Sequence, residues 1–177
     1  MKRQRFPVMV LSAILCIALF APAAFSADEP APAPLKSLYR VGDEFPPISL
    51  VDLEGKKVLV SGMLTSEKNY IVFFNTACMN CQLEMSIFQK NIDSAKKKGI
   101  GVIAVGIDMG GPDVLKVFQA KRKYPFPILS DKGFELAGKL GLSFTPATVV
   151  VDKAKKIVDV DPGFDNEKAA KLEAALK

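Results

Sequence analysis

The run Tyr70-Ile71-Val72-Phe73-Phe74 is apolar without a break and predicts a buried strand. After a short turn, Met85, Phe88, Ile92 and Ala95 recur at steps of three, four and three, the spacing of an amphipathic helix. That helix is expected from about Cys78 to Lys98, with Gly99 as its stop. Ile100 to Ile107 predicts a second strand. Gly110-Gly111-Pro112-Asp113 then opens a helix reaching about Lys123, because Pro112 suits the first helical position. Pro125 to Leu129 predicts an extended segment, and Phe134 to Leu140 a short helix that Gly141 terminates. Upstream, Ile48 to Val51 and Val58 to Val60 predict a hairpin across Asp52-Leu53-Glu54-Gly55. Downstream, Ala147 to Val151 and Ile157 to Val160 pair across the polar turn Asp152-Lys153-Ala154-Lys155-Lys156. Asp165 caps a last helix with Ala169, Leu172 and Leu176 on its apolar face. Strands alternating with helices predict an α/β fold whose early strands are parallel, and the opening and closing hairpins make the sheet mixed.

The pattern differs at the start of the chain. Lys2, Arg3 and Arg5 precede an uncharged, mostly apolar stretch from Val8 to Phe20, and small residues surround Ala21 to Ala27. This layout predicts a secretory signal peptide over residues 1–26, with Ala24 and Ser26 at the small-residue positions before the cut. The apolar stretch is short of the about 20 residues a spanning helix needs; an uncleaved signal would be the one route to a membrane. Residues 27–36, with Pro30, Pro32 and Pro34 alternating, read as a semi-extended linker. One domain, residues 37–177, follows, long enough to bury its own core.

Export changes the charge and the cysteine count. The formal net charge of +5 loses three cations and no acid with the signal, leaving +2, too slight to argue for nucleic acid. Of three cysteines, Cys16 leaves with the signal; Cys78 and Cys81 remain, bound for an oxidising, periplasmic or otherwise extracytoplasmic space. The pair sits in C-x-x-C spacing between the apolar strand and the first turn of a helix. Unsatisfied N–H groups and the positive end of the helix dipole there favour a thiolate, as electron exchange requires. A purely structural bridge across two residues closes a tiny loop and contributes little stability. Zinc wants four Cys or His ligands, and the chain has no histidine, so no metal and no cofactor is expected. Asn75 and Thr76 read as turn or capping residues, Lys96-Lys97-Lys98 and Lys121-Arg122-Lys123 as solvated helix ends, and the methionines as core filler.

Several segments together carry a resemblance. They are Gly42-Asp43-Glu44-Phe45-Pro46-Pro47-Ile48-Ser49-Leu50, the turn Asp52-Leu53-Glu54-Gly55-Lys56, the stretch Phe73 to Glu84, the strand Gly101 to Asp108, and Gly141 to Val151 with Thr145-Pro146 just before a β-branched strand. Over about Tyr39 to Lys177 the chain resembles the exported thiol-disulfide oxidoreductases of the TlpA/ResA type, within the redoxin (AhpC/TSA-like) superfamily. The resemblance implies a thioredoxin-like three-layer sandwich, a mixed central sheet flanked by helices, with an N-terminal β-hairpin. Cys78, first of the pair and nearer the turn and the helix terminus, is the expected attacking thiolate, and Cys81, one helical turn on, the resolving thiol; the resemblance implies that Pro146 corresponds to the proline whose peptide bond is cis in such folds, and that Thr145 offers backbone groups to a substrate. For Glu84 it implies a carboxyl that tunes the thiols and relays protons; an early-helix carboxylate complementing the dipole is the alternative. Implied partners are protein disulfides, apocytochrome c among them, and a membrane thiol carrier as electron donor.

The chain departs from the family in having Ala77 where a Trp is usual, no Trp anywhere, and Met79-Asn80 inside the motif. Thiol peroxidase is the rival activity. Its pattern places a Pro upstream and a Thr three residues before the cysteine, whereas Thr76 is two before Cys78 and the proline is absent. Copper chaperones of this fold use C-x-x-x-C with a distant histidine, which the chain lacks.

Overall fold

The computed structural model describes residues 38–177; the expected signal peptide and linker lie outside the described residues. In chain order the elements are β1 (Ser49–Asp52), β2 (Lys57–Leu59), α1 (Val60–Met63), β3 (Lys68–Phe74), α2 (Met79–Lys97), β4 (Ile100–Gly106), α3 (Pro112–Arg122), β5 (Ile128–Ser130), α4 (Glu135–Lys139), β6 (Ala147–Asp152), β7 (Ile157–Pro162) and α5 (Asn166–Leu176). The strands form one sheet in the order β2-β1-β5-β4-β3-β6-β7. β3 runs parallel to β4 and β4 to β5, while β1, β6 and β7 join antiparallel. This is the mixed, layered α/β architecture with an opening hairpin that the sequence predicts.

β3 shows why its run is unbroken. Ile71 and Phe73 face one core with α1 and α4, through Val60, Leu136 and Leu140. Val72 and Phe74 face the other with α2 and α3, through Met85, Phe88, Leu115 and Phe118. Side chains alternate along a strand, so a strand covered by helices on both sheet faces is apolar at every position. All four are completely buried, each contributing about 1.5–3 kcal/mol relative to exposure. α3 approaches β4 so closely that a Cβ built on Gly106 would lie 2.3 Å from a Leu115 methyl, which only glycine permits.

Two expectations need correction. Val60 does not end a strand; it begins α1, where it is fully buried against the first core. The methionines do not all fill the core. Met85 does, but Met79 and Met109 are 68% and 72% exposed.

Candidate active site

β3 ends at Phe74 and α2 starts at Met79, so four residues carry the chain from the sheet to the helix. Each is held. Asn75 Oδ1 accepts the Ala77 N–H at 3.0 Å, and the Asn75 carbonyl accepts the Cys78 N–H at 3.0 Å. Thr76 gives both its N–H and its hydroxyl to Asp108, the hydroxyl at 2.6 Å, and its carbonyl accepts from the Gln82 side chain at 2.8 Å. Arg122, beside the Phe118 ring, in turn donates to Gln82. The turn roles expected of Asn75 and Thr76 are present, and Asp108, two residues beyond β4, is a support the sequence reading missed.

Cys78 is the N-cap of α2. Its backbone is extended and its sulfur accepts the Cys81 N–H at 3.1 Å. The two cysteines form a disulfide, with Cα atoms 5.3 Å apart. They differ in access: Cys81 is completely buried, Cys78 partly exposed. An incoming sulfur can therefore reach only Cys78. The helix N-terminus and the amide aimed at this sulfur favour negative charge on it once the bridge is reduced.

Across the disulfide lies the turn entering β6. The Thr145–Pro146 peptide bond is cis, and the Thr145 carbonyl oxygen is 3.9 Å from Cys78 Sγ. The Cys78–Cys81 bridge and the Thr145–Pro146 turn, over sixty residues apart in sequence, thus meet in one place. Exposed apolar side chains adjoin both halves: Met79 follows Cys78, and Phe144, 56% exposed, precedes Thr145.

Glu84 is the sixth residue of α2, whose first turn contains no acid, and only 5% of it is exposed. A solvated carboxylate complementing the helix dipole is thus not what this residue is. Oε1 accepts the Thr148 hydroxyl at 2.6 Å, and Oε2 is buried without a hydrogen-bond partner among the described residues. Burial pushes its pKa from the ordinary 4.5 up to about 7; the Thr148 bond and Lys168 lower it, and Asp161 raises it. A carboxyl balanced near neutrality can take or give a proton readily. Cys81 and Glu84, three apart on α2, are neighbours on one helix face. Beside Glu84 a cavity of about 210 Å³ is lined by Tyr70, Thr148, Asp159, Asp161, Phe164 and Lys168, among others. Among the described residues, no cluster of His, Cys, Asp or Glu could hold a metal ion.

A disulfide-bonded Cys-x-x-Cys at a strand–helix junction, facing a cis-proline turn on a mixed sheet, is the arrangement of a thioredoxin-fold protein. Residues 41–160 match the AhpC/TSA family, and the chain belongs to that family. It is 30% identical over 143 residues to the thiol-disulfide oxidoreductases ResA of Bacillus thuringiensis (strain Al Hakam) and Bacillus anthracis, spanning 80% of this chain and 80% of each relative. The activity is that of a protein thiol-disulfide oxidoreductase. Among solved structures, one described as the thiol:disulfide interchange protein DsbE of Chlorobium tepidum superposes with a TM-score of 0.69 at 24% identity, over 78% of this chain and 99% of that one. Peroxidoxin BcpB of Mycobacterium tuberculosis shares the fold as well, with a TM-score of 0.67 at 20% identity, over 78% and 96%.

Proposed function

We propose that the protein is an exported dithiol–disulfide oxidoreductase that reduces disulfides in other proteins, with Cys78 as nucleophile and Cys81 as resolving thiol. One observation carries the assignment of roles: the first sulfur is reachable and the second completely buried. A donor dithiol first reduces the Cys78–Cys81 bridge, passing it two electrons and two protons. The Cys78 thiolate then attacks one sulfur of the substrate disulfide, whose S–S bond breaks as the other sulfur leaves as a thiolate. Cys81 gives its proton to the Glu84 carboxylate and attacks Cys78. The mixed disulfide breaks, the second substrate sulfur leaves, and the bridge re-forms. The backbone of Thr145 and Pro146 lies where a substrate strand would run, and Met79 and Phe144 offer apolar contacts on either side of it.

Apocytochrome c as substrate and a membrane thiol carrier as donor extend this reading by analogy with ResA-type relatives. Export rests on residues 1–26. An exported form whose mass lacks those 26 residues would support it, and a full-length form retained in the cytoplasm would refute it. Against thiol peroxidase, the Thr76 hydroxyl is committed to Asp108 and the proline upstream of the motif is missing.

The test is a pair of variants. Cys78→Ser is expected to abolish reduction of insulin disulfides, whereas Cys81→Ser accumulates a mixed disulfide with substrate, visible by mass. Full activity in Cys78→Ser would reject the assignment, and rapid peroxide consumption in stopped flow would favour the peroxidase. Equilibration with a glutathione redox pair gives the direction of electron flow: a potential below that of the pool marks a reductant.

A further inference from the structure

Lys168, the third residue of α5, is less exposed than a surface lysine ordinarily is, its side chain 25% accessible. Its ammonium donates to the Asp161 carboxylate and to the carbonyls of Pro162 and Gly163, closing the turn between β7 and α5 around itself. That turn touches the dithiol site twice. The Gly163 N–H donates to the Pro146 carbonyl at 2.7 Å, and Asn80, inside the Cys-x-x-Cys motif, donates to the Phe164 carbonyl at 3.4 Å. The same turn forms a wall of the cavity at Glu84.

Around that cavity the groups facing Glu84 are Thr148 from β6, Tyr70 from β3, Asp159 and Asp161 from β7, and Lys168 and Lys171 from α5. The two lysines are its cations. Lys171 is 74% exposed and paired with Glu167 at 2.7 Å, so solvent and its partner screen it. Lys168 is the better buried of the two, held beside an acid of opposite effect. The cavity is roomy enough for several waters, since one occupies about 10–15 Å³ by this measure. Glu84 Oε2 lies buried beside it, without a hydrogen-bond partner among the described residues.

We propose that the Lys168–Asp161 pair is a positioning element of the reaction: it sets the charge state of Glu84, and with it the pH at which Cys81 can be deprotonated to resolve the mixed disulfide. The inference rests on the dithiol reading and deepens it. Lys168 favours the carboxylate and Asp161 opposes it, so the pair holds Glu84 between the two extremes. Removing either member unbalances Glu84 in a different direction.

The experiment titrates the Glu84 carboxyl by 13C NMR in the full-length oxidised protein and records the pH profile of insulin reduction. Wild type, Lys168→Met, Asp161→Asn, the double variant and Lys168→Arg are compared. Lys168→Met is expected to move both midpoints alkaline by about half a pH unit or more, and Asp161→Asn to move them acid by a similar amount. The double variant falls between, and Lys168→Arg keeps the wild-type value. A merely structural lysine would depress the rate at all pH values without opposed shifts. Unmoved midpoints in both single variants, or movement in one common direction, overturn the proposal. Asp161→Asn retains the ammonium and its carbonyl bonds, so it decides the matter even if Lys168→Met unfolds. NMR shifts as expected in a protein without thiol-dependent turnover would refute the dithiol reading and spare the coupling at Glu84; normal turnover with unmoved NMR midpoints would do the reverse.

Discussion

Cys81 and Glu84 are both excluded from solvent, and both must change protonation state if the pair is to turn over. Among the described residues, Thr148 alone hydrogen-bonds the Glu84 carboxyl, through a single oxygen. Thr148→Val deletes that bond at nearly constant shape, so the Glu84 midpoint should rise above its value of about 7. The loss of a buried bond should also destabilise the protein by about 1–3 kcal/mol. A carboxyl titration and a urea unfolding curve check the two effects. Glu84→Gln removes the proton acceptor and should slow resolution of the mixed disulfide by about 10²-fold while leaving its formation near wild type. Rapid-quench mass spectrometry separates the two steps, and equal slowing of both would argue against the role given to Glu84.

The decisive element is the junction of β3 and α2. Its hydrophobic pattern was legible in the sequence, as was the pairing of the cysteines with a helix start, because strand and helix periodicities are local properties of the chain. The anchor of the junction was not. Asp108 accepts from Thr76 across 32 residues, and no local pattern marks an acid after a strand as the support of a distant loop. Asp108→Ala leaves the Thr76 N–H and hydroxyl unpaired. It should destabilise by about 1–3 kcal/mol and lower the rate of Cys78 alkylation in the reduced protein, since the loop that presents the sulfur loses its tether. Thermal unfolding and iodoacetamide kinetics measure these outcomes; unchanged alkylation would show that the helix cap alone positions Cys78. α1 was missed for a related reason. Val60 continues an apolar stretch that reads as strand, and only the core formed with Ile71 and Phe73 favours one turn of helix there.

For the whole molecule, Glu84 couples folding to pH. Its folded pKa, about 7, lies above the ordinary 4.5, so between these values the native state binds more protons than the unfolded chain. The stability it contributes is fully present below about pH 4.5 and is lost as pH rises through about 7. The difference is on the order of 3 kcal/mol. Urea denaturation of the oxidised protein should therefore show stability falling across this window in the wild type and much less in Glu84→Gln. A wild-type curve that stays flat across the window, matching Glu84→Gln, would place the Glu84 pKa at or below its ordinary value.

Reading along the chain was enough for the α/β order, for the spans of its strands and of its helices other than α1 to within a few residues, and for the dithiol at a helix start. These follow from side-chain periodicity and from the chemistry of neighbours in the chain. Tertiary structure alone decided which cysteine is reachable, that the Thr145–Pro146 turn faces the disulfide, and that Glu84 is buried against Thr148 under the α5 lysine. Burial and electrostatic environment are set by groups brought together from separate strands and helices, and no local stretch of chain specifies them.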